Sequence, residues 1–345
     1  MEKLNKLAKD LSVECDKIKQ ETLIAELKQN YPDNLEQIVC QAMITNPFLS
    51  IDFNALVQLE AQQQAREATR NISILRQLAG KLSGIKVAIF CMLKSGSSFT
   101  QSAIRAGLNL PFFHLTSCSI NPSLAGMNGR EQELDELAIM FAVFNGKGNF
   151  IAQHHTCFTP YLGRQLAFYG ILPIVTIRNV FDAIVSYDDM VMNECDDPQI
   201  GLYDGWAMLP RNYPVMDKPD RLRLISQNVG VWLIKFYLSW KRGIYFDMCK
   251  PLVLHYEEDI LDRQHFVEKI SAYLSLGAET RTVLGNYVLN PNSQESRINK
   301  GIAGRGAEVP SDAISALIKY AELFAGDLNQ HDMEILFGTH YLKSF

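Results

Sequence analysis

From residue 86 onward the chain alternates short apolar runs with segments of helical period, and this alternation restricts what it can fold into. KVAIFC (86–91), NFIAQH (149–154), LPIVTI (172–177) and PLVLHY (251–256) read as buried parallel strands. Between them, SFTQSAIRAGL, REQELDELAIMFAVF, PYLGRQLAFYG, DAIVSYDDMVM and RLISQNVGVWLIKFYLSW carry the spacing of helices. Such an order predicts an α/β domain whose central parallel sheet is flanked by helices on both faces. Ligands in these sheets bind beyond the carboxyl ends of the strands, so the residues just after each run are the functional candidates.

The first eighty residues differ in character. Leu4, Leu7, Leu11 and Ile18 recur at helical spacing, and Tyr31-Pro32-Asp33-Asn34 interrupts them. A second helix is expected over about 35–44, ending at Asn46-Pro47, and a third over about 54–82 with AQQQAREATR on its outer face. The expected organisation is a helical N-terminal extension or cap over 1–82 and the α/β domain over 83–345. Within the latter, residues 193–220 have weak periodicity but carry Tyr203, Trp206 and Tyr213 among glycines and prolines. A long aromatic loop in a compact domain is expected to be a lid over a pocket.

Net charge is −5, so no overall basic field draws the protein to nucleic acid or an anionic membrane, and a bound anion needs a local cluster of donors. Seven scattered cysteines without a CxxC pair suggest a reducing compartment, no zinc site and no disulfide framework. The first twenty residues are charged throughout and lack the apolar core of a signal peptide, and no run approaches the ~18 residues of a spanning helix. A cytoplasmic protein is expected, and association into a homo-oligomer is compatible with the chain. His114, His255, His265, His331 and His340 have no metal-ligand spacing. Asp188-Asp189 and Glu257-Glu258-Asp259 are expected to face solvent or hold basic residues rather than bind metal.

Two patterns follow strands. After 86–91 comes Lys94-Ser95-Gly96-Ser97-Ser98-Phe99, leading into a helix. Backbone N–H groups in such a turn, together with the helix dipole, form an anion site. Gly96 allows close approach, Ser97 and Ser98 add hydroxyls and are expected to cap the helix, and Lys94 adds charge. The Walker A spacing is absent. After 172–177 comes Arg178, with Ser186 eight positions further on, about two helical turns. An arginine fork and a hydroxyl can hold a second phosphate.

KSGSSF and RNVFDAIVS together resemble the two nucleotide motifs of sulfotransferases that use 3′-phosphoadenosine-5′-phosphosulfate (PAPS). The first is similar to that family's PKSGTTW loop for the 5′-phosphosulfate, with Leu93 in place of proline, and the second to its RNPKDVAVS motif for the 3′-phosphate. YEED from Tyr256 resembles the strand whose tyrosine lies near adenine. Asn299-Lys300-Gly301-Ile302-Ala303-Gly304 resembles the RKGxxG loop, with Asn299 in place of arginine and Arg297 or Arg305 nearby to replace it. The resemblance covers about 86–310 and implies a P-loop-like fold, PAPS as co-substrate, 3′-phosphoadenosine 5′-phosphate as product, and no metal.

The family's strand ending in KTH is matched by Gln153-His154-His155, so the resemblance implies His155 as the base that takes the acceptor's proton, with His154 the alternative. An imidazole is suited to this by its ordinary pKa near ~6.5. The function implied is transfer of a sulfuryl group to a hydroxyl acceptor, a small molecule or natural product. A phosphotransferase using the KSGSS loop and a non-catalytic protein of the same fold stand as alternatives.

Overall fold

The computed structural model describes residues 2–12, 14, 16–45, 61–116, 133–194, 209–289 and 303–342. The principal elements begin with α1 (Glu2–Leu11), α2 (Lys17–Asn30), α3 (Pro32–Thr45), α4 (Ala61–Lys81), β1 (Lys86–Cys91), α5 (Ser97–Leu108) and α6 (Glu136–Asn145). There follow β2 (Phe150–His154), α7 (Pro160–Tyr169), β3 (Leu172–Ile177), α8 (Val180–Glu194), α9 (Lys218–Ile225) and α10 (Val231–Tyr245). The chain continues through β4 (Leu252–His255), α11 (Arg263–Tyr273), α12 (Ala278–Leu289), α13 (Ser311–Glu322), α14 (Gln330–Phe337) and α15 (Thr339–Leu342). Two compact units result: one from Met1–Gly84, Phe113–Asn128 and Glu133–Gly148, the other from Ile85–Phe112, Gly129–Gln132 and Asn149–Phe345.

In the first unit, Leu7, Leu11, Leu27, Ile38, Val39 and Ala42 form a small core shared by α1, α2 and α3. The leucine stripe does not run on to Ile18, which is 75% exposed. Asp16 starts a new helix instead, its carboxylate accepting from the N–H groups of Ile18 and Lys19. The expected break at 31–34 shrinks to Tyr31, because Pro32 takes the first position of α3, where a missing N–H costs nothing. Arg76 of α4 donates to both carboxylate oxygens of Glu136 on α6, at 2.7 and 2.6 Å.

The second unit holds a four-stranded sheet of order β2-β1-β3-β4, every pair parallel. All six residues of β1 are buried, as a strand covered on both faces requires. Val87, Ile89, Cys91, Ile151, Ile174 and Leu254 pack on one face against Phe99, Ile104, Phe266, Ile270 and Leu284 of α5, α11 and α12. On the other face Phe90 meets Trp240 of α10, ring centres 4.8 Å apart. Buried Lys86 donates from Nζ to the Tyr169 carbonyl at 2.7 Å, and burial lowers its pKa. The chain goes from β1 to β2 on one side, then crosses from β2 to β3 on the other side of β1. The strand order therefore reverses between the carboxyl ends of β1 and β3, where open α/β sheets make their binding crevice.

Past β3, the Asn179 side chain accepts from the N–H groups of Phe181 and Asp182 and so caps α8. The Asp182 carboxylate, 3% exposed, then accepts from Gly304 N at 2.7 Å and Gly306 N at 2.6 Å. A Cβ on Gly306 would stand 2.6 Å from the Phe181 Cβ, so only glycine lets this turn lie on α8.

Asp182→Ala removes the charged acceptor of two backbone donors, so it should destabilise the second unit by about 2–4 kcal/mol. Trp232 and Trp240 are buried in that unit, so denaturant unfolding followed by tryptophan fluorescence measures the loss.

Candidate anion-binding site

The turn after β1 passes through Lys94 at φ 64° and Gly96 at φ 79°. Left-handed residues in such a turn bring successive N–H groups to one side, which makes a concave site for an anion. A left-handed lysine is strained, and neighbouring bonds hold it. Met92 N donates to the Thr176 carbonyl at 3.0 Å, and the Ser95 hydroxyl donates to the Met92 carbonyl at 2.7 Å. Ser95 Oγ also lies 2.6 Å from Thr176 Oγ1, so this hydroxyl faces the sheet and is fully buried. At Gly96 a Cβ would come within 3.0 Å of the Tyr256 ring and 3.1 Å of Ile260 Cγ2. Both backbone angle and space demand glycine there.

The expected serine cap does not form. Gly96 itself is the N-cap of α5, with no side-chain cap hydrogen bond, and Ser97 and Ser98 are the first two helical residues. Ser97 Oγ instead accepts from Gln153 Nε2 at 2.9 Å, while Ser98 is exposed and Phe99 is buried. Without a side-chain cap, the first amides of α5 face the turn with the positive end of the helix dipole behind them.

Arg178 is 5% exposed, and a charge at that depth needs partners. Its Nη1 donates to the Lys94 carbonyl at 2.9 Å, and its guanidinium carbon lies 4.2 Å from the centre of the Tyr256 ring. Glu257 of the turn after β4 accepts from Asn179 N at 3.1 Å. Burial raises the Glu257 pKa, and the bond from Asn179 and the Arg178 charge oppose the rise. The ends of β1, β3 and β4 thus meet in one cluster. Ser186, 3% exposed, stands in the second turn of α8. Arg305 is paired with Asp189 at 2.8 Å and with Glu308 at 3.4 Å. Lys300 and Gly301 lie outside the described residues, as do Asn299, Arg297, Tyr203 and Trp206.

Alternation along β2 separates the two histidines. His154 is fully buried, and His155, just past the strand, is partly exposed. His155 Nδ1 lies 2.8 Å from the Cys91 carbonyl. A carbonyl only accepts, so Nδ1 carries the proton and the neutral ring keeps a lone pair at Nε2. Burial lowers the His155 pKa to about 4; the Cys91 bond opposes the shift and the Lys94 charge adds to it. Lys94 and His155 therefore belong to one electrostatic cluster. The neighbouring Cys91 thiol, 3.3 Å from His155 Nδ1, is pushed by burial up to about 12 and stays protonated.

The acidic pairs hold basic residues. Asp188 binds Arg221 at 2.7 Å and accepts from the Tyr213 hydroxyl at 2.7 Å, and Asp259 binds Lys269 at 2.8 Å. Tyr213 is thereby buried against α8 rather than placed in a lid. Thr176 and Glu257 are parts of the cluster beyond the expected residues. Thr176 could have been found, because alternation in LPIVTI puts one polar side chain on a buried face. Glu257 has no such local signal.

Among the described residues no helix is long and apolar enough to cross a membrane, and no group of three His, Cys, Asp or Glu is placed to hold a metal. No protein-family model and no curated protein matches the chain. Among solved structures it is similar to mouse sulfotransferase SULT7A1 complexed with PAP, at 14% identity and a TM-score of 0.47, over 79% of this chain and 94% of that one.

Lys94→Ala removes a charge that disfavours protonation of His155, so the His155 pKa should rise from about 4 toward its ordinary value. A histidine NMR titration of both proteins reads this directly, and equal midpoints would separate the two groups. Below about pH 6.5 the unfolded chain binds a proton that folded His155 refuses until about 4. Stability present above 6.5 should therefore be lost progressively as the pH falls through that window.

Proposed function

We propose that this protein is a sulfotransferase that moves a sulfuryl group from PAPS to a hydroxyl on a small acceptor. The observation that carries the reading is the bond from Arg178 to the Lys94 carbonyl, which brings the two candidate phosphate grips side by side. One element is a turn of converging amides ahead of an uncapped helix, and the other is a buried arginine on the neighbouring strand. Two such grips suit a nucleotide with phosphates at both ends of its ribose. The donor set suits that ligand, since it offers backbone amides, one lysine and one arginine.

PAPS, when bound, supplies a sulfuryl group on a good leaving oxygen. The chain's part is to bind, orient and handle one proton. The amides of 95–98 and Lys94 would hold the 5′ end and stabilise charge arriving on the bridging oxygen as the sulfur–oxygen bond breaks. Arg178 and Ser186 would hold the 3′-phosphate, with Lys300, Gly301 and Arg305 contributing from the following loop. Tyr256, beside Gly96, supports the base. His155 Nε2 takes the proton of the acceptor hydroxyl as its oxygen bonds to sulfur, leaving sulfated acceptor and 3′-phosphoadenosine 5′-phosphate. His154, fully buried, is the less accessible ring.

His155→Ala and Lys94→Ala should each slow transfer by ~10²–10³ in single-turnover assays with labelled PAPS. Near wild-type rates in both would overturn the assignment. Arg178→Ala should weaken binding of 3′-phosphoadenosine 5′-phosphate in calorimetry. Because the His155 pKa is about 4, the acid limb of the transfer rate should lie near that pH rather than at the ordinary histidine value.

A further inference from the structure

Arg263 opens α11, directly after Asp262, whose carboxylate caps that helix through His265 N at 3.0 Å. Its guanidinium carbon lies 3.8 Å from the centre of the Phe99 ring, a stacking distance. Phe99 is in the first turn of α5, just behind the anion-binding turn. Arg263 also interacts electrostatically with Tyr256, whose ring abuts Gly96 and supports Arg178 at 4.2 Å. Two guanidinium groups and two aromatic rings therefore gather on the side of the turn where the Tyr256 ring packs on Gly96.

Within the described residues, Arg263 has neither kind of partner that holds the other arginines of this region, although Arg178 too keeps one buried nitrogen, Nε, without a hydrogen bond. Arg221, Arg242 and Arg305 each have a carboxylate, and Arg178 has the Lys94 carbonyl. Among the described residues no carboxylate pairs with Arg263, and its Nη1 is buried without a hydrogen-bond partner. Leaving a buried donor unpaired is costly, and a ligand acceptor would remove that cost. A guanidinium flat on a ring directs its N–H groups outward in one plane, the geometry that reads the edge of a heterocycle. The phosphates already have the loop amides and Arg178.

We infer that Arg263 is a specificity-determining residue which donates a hydrogen bond to a ring nitrogen of a purine base, on a nucleotide whose phosphate occupies the 94–98 turn. The inference rests on the nucleotide reading given under Proposed function. It assigns base selection to a residue outside the KSGSS and RNVFDAIVS patterns.

The test is calorimetry on the full chain with adenosine 3′,5′-bisphosphate and cytidine 3′,5′-bisphosphate, which share both phosphates and the ribose. Wild type should prefer the adenosine ligand by about tenfold or more, the equivalent of one hydrogen bond. Arg263→Met keeps an apolar cover on Phe99 but has no donor. It should lose about tenfold in affinity for the adenosine ligand and leave the cytidine ligand within about twofold. Arg263→Lys keeps the charge without the planar fork and should lose the preference too, which serves if the methionine variant fails to fold. Equal losses for both ligands would assign Arg263 to phosphate or to structure, and unchanged affinities would remove it from the site; either overturns the inference alone. A wild type that binds neither bisphosphate overturns the nucleotide reading, and this inference falls with it.

Discussion

The hydrogen bond from Arg178 to the Lys94 carbonyl ties the functional end of the sheet together. It spans the point where strand order reverses, joining the turn after β1 to the exit of β3. It gives a buried cation a partner and at the same time holds a lysine in the left-handed region, two states that are costly alone. Thr176 and Ser95 reinforce the junction from the sheet side, so the turn is anchored at 2.6–3.0 Å to β3 rather than left as a mobile loop.

The same junction sets the electrostatics around His155. Its Nδ1 is engaged by the Cys91 carbonyl, and burial and the Lys94 charge keep the ring neutral over the physiological range. A neutral imidazole beside a cation is a poor ion-pair partner but a ready proton acceptor at Nε2. The opposite face of the sheet fixes the ring's surroundings. Trp232 of α10 approaches it edge-on at 6.5 Å, and Trp240 packs on Phe90. A π-helical turn at Ser226–Gly230 precedes α10, and another at Tyr256–Ile260 follows β4. Such wide turns add a residue to the winding and shift the face that later side chains present, and they recur at functional sites. Here one stands before Trp232 and the other opens with Tyr256.

Much of this was legible in the amino acids because its causes are local. The four strands were expected within a residue or two at each end, since a buried parallel strand must be apolar throughout. Gly96 was legible as a turn glycine, and Arg178 as the first polar residue after its strand. The N-terminal helices were read less well. Asp16 and Pro32 are helix-start signals, yet the apolar spacing of Leu4 to Ile18 suggested one continuous stripe. A cap is a stronger boundary than a spacing, because it satisfies donors that the helix otherwise leaves open.

By itself the sequence determined an α/β domain with a glycine turn behind its first strand and an arginine behind its third, because hydrophobic period and turn chemistry act over a few residues. Only the tertiary structure decided that β1 and β3 are neighbours, that Ser95 meets Thr176 while Ser97 meets Gln153, and that Arg263 lies on Phe99 with a donor unspent. Those contacts join residues from about 56 to more than 160 positions apart. Strand order and the packing of whole helices create them, and no local pattern of residues encodes either one.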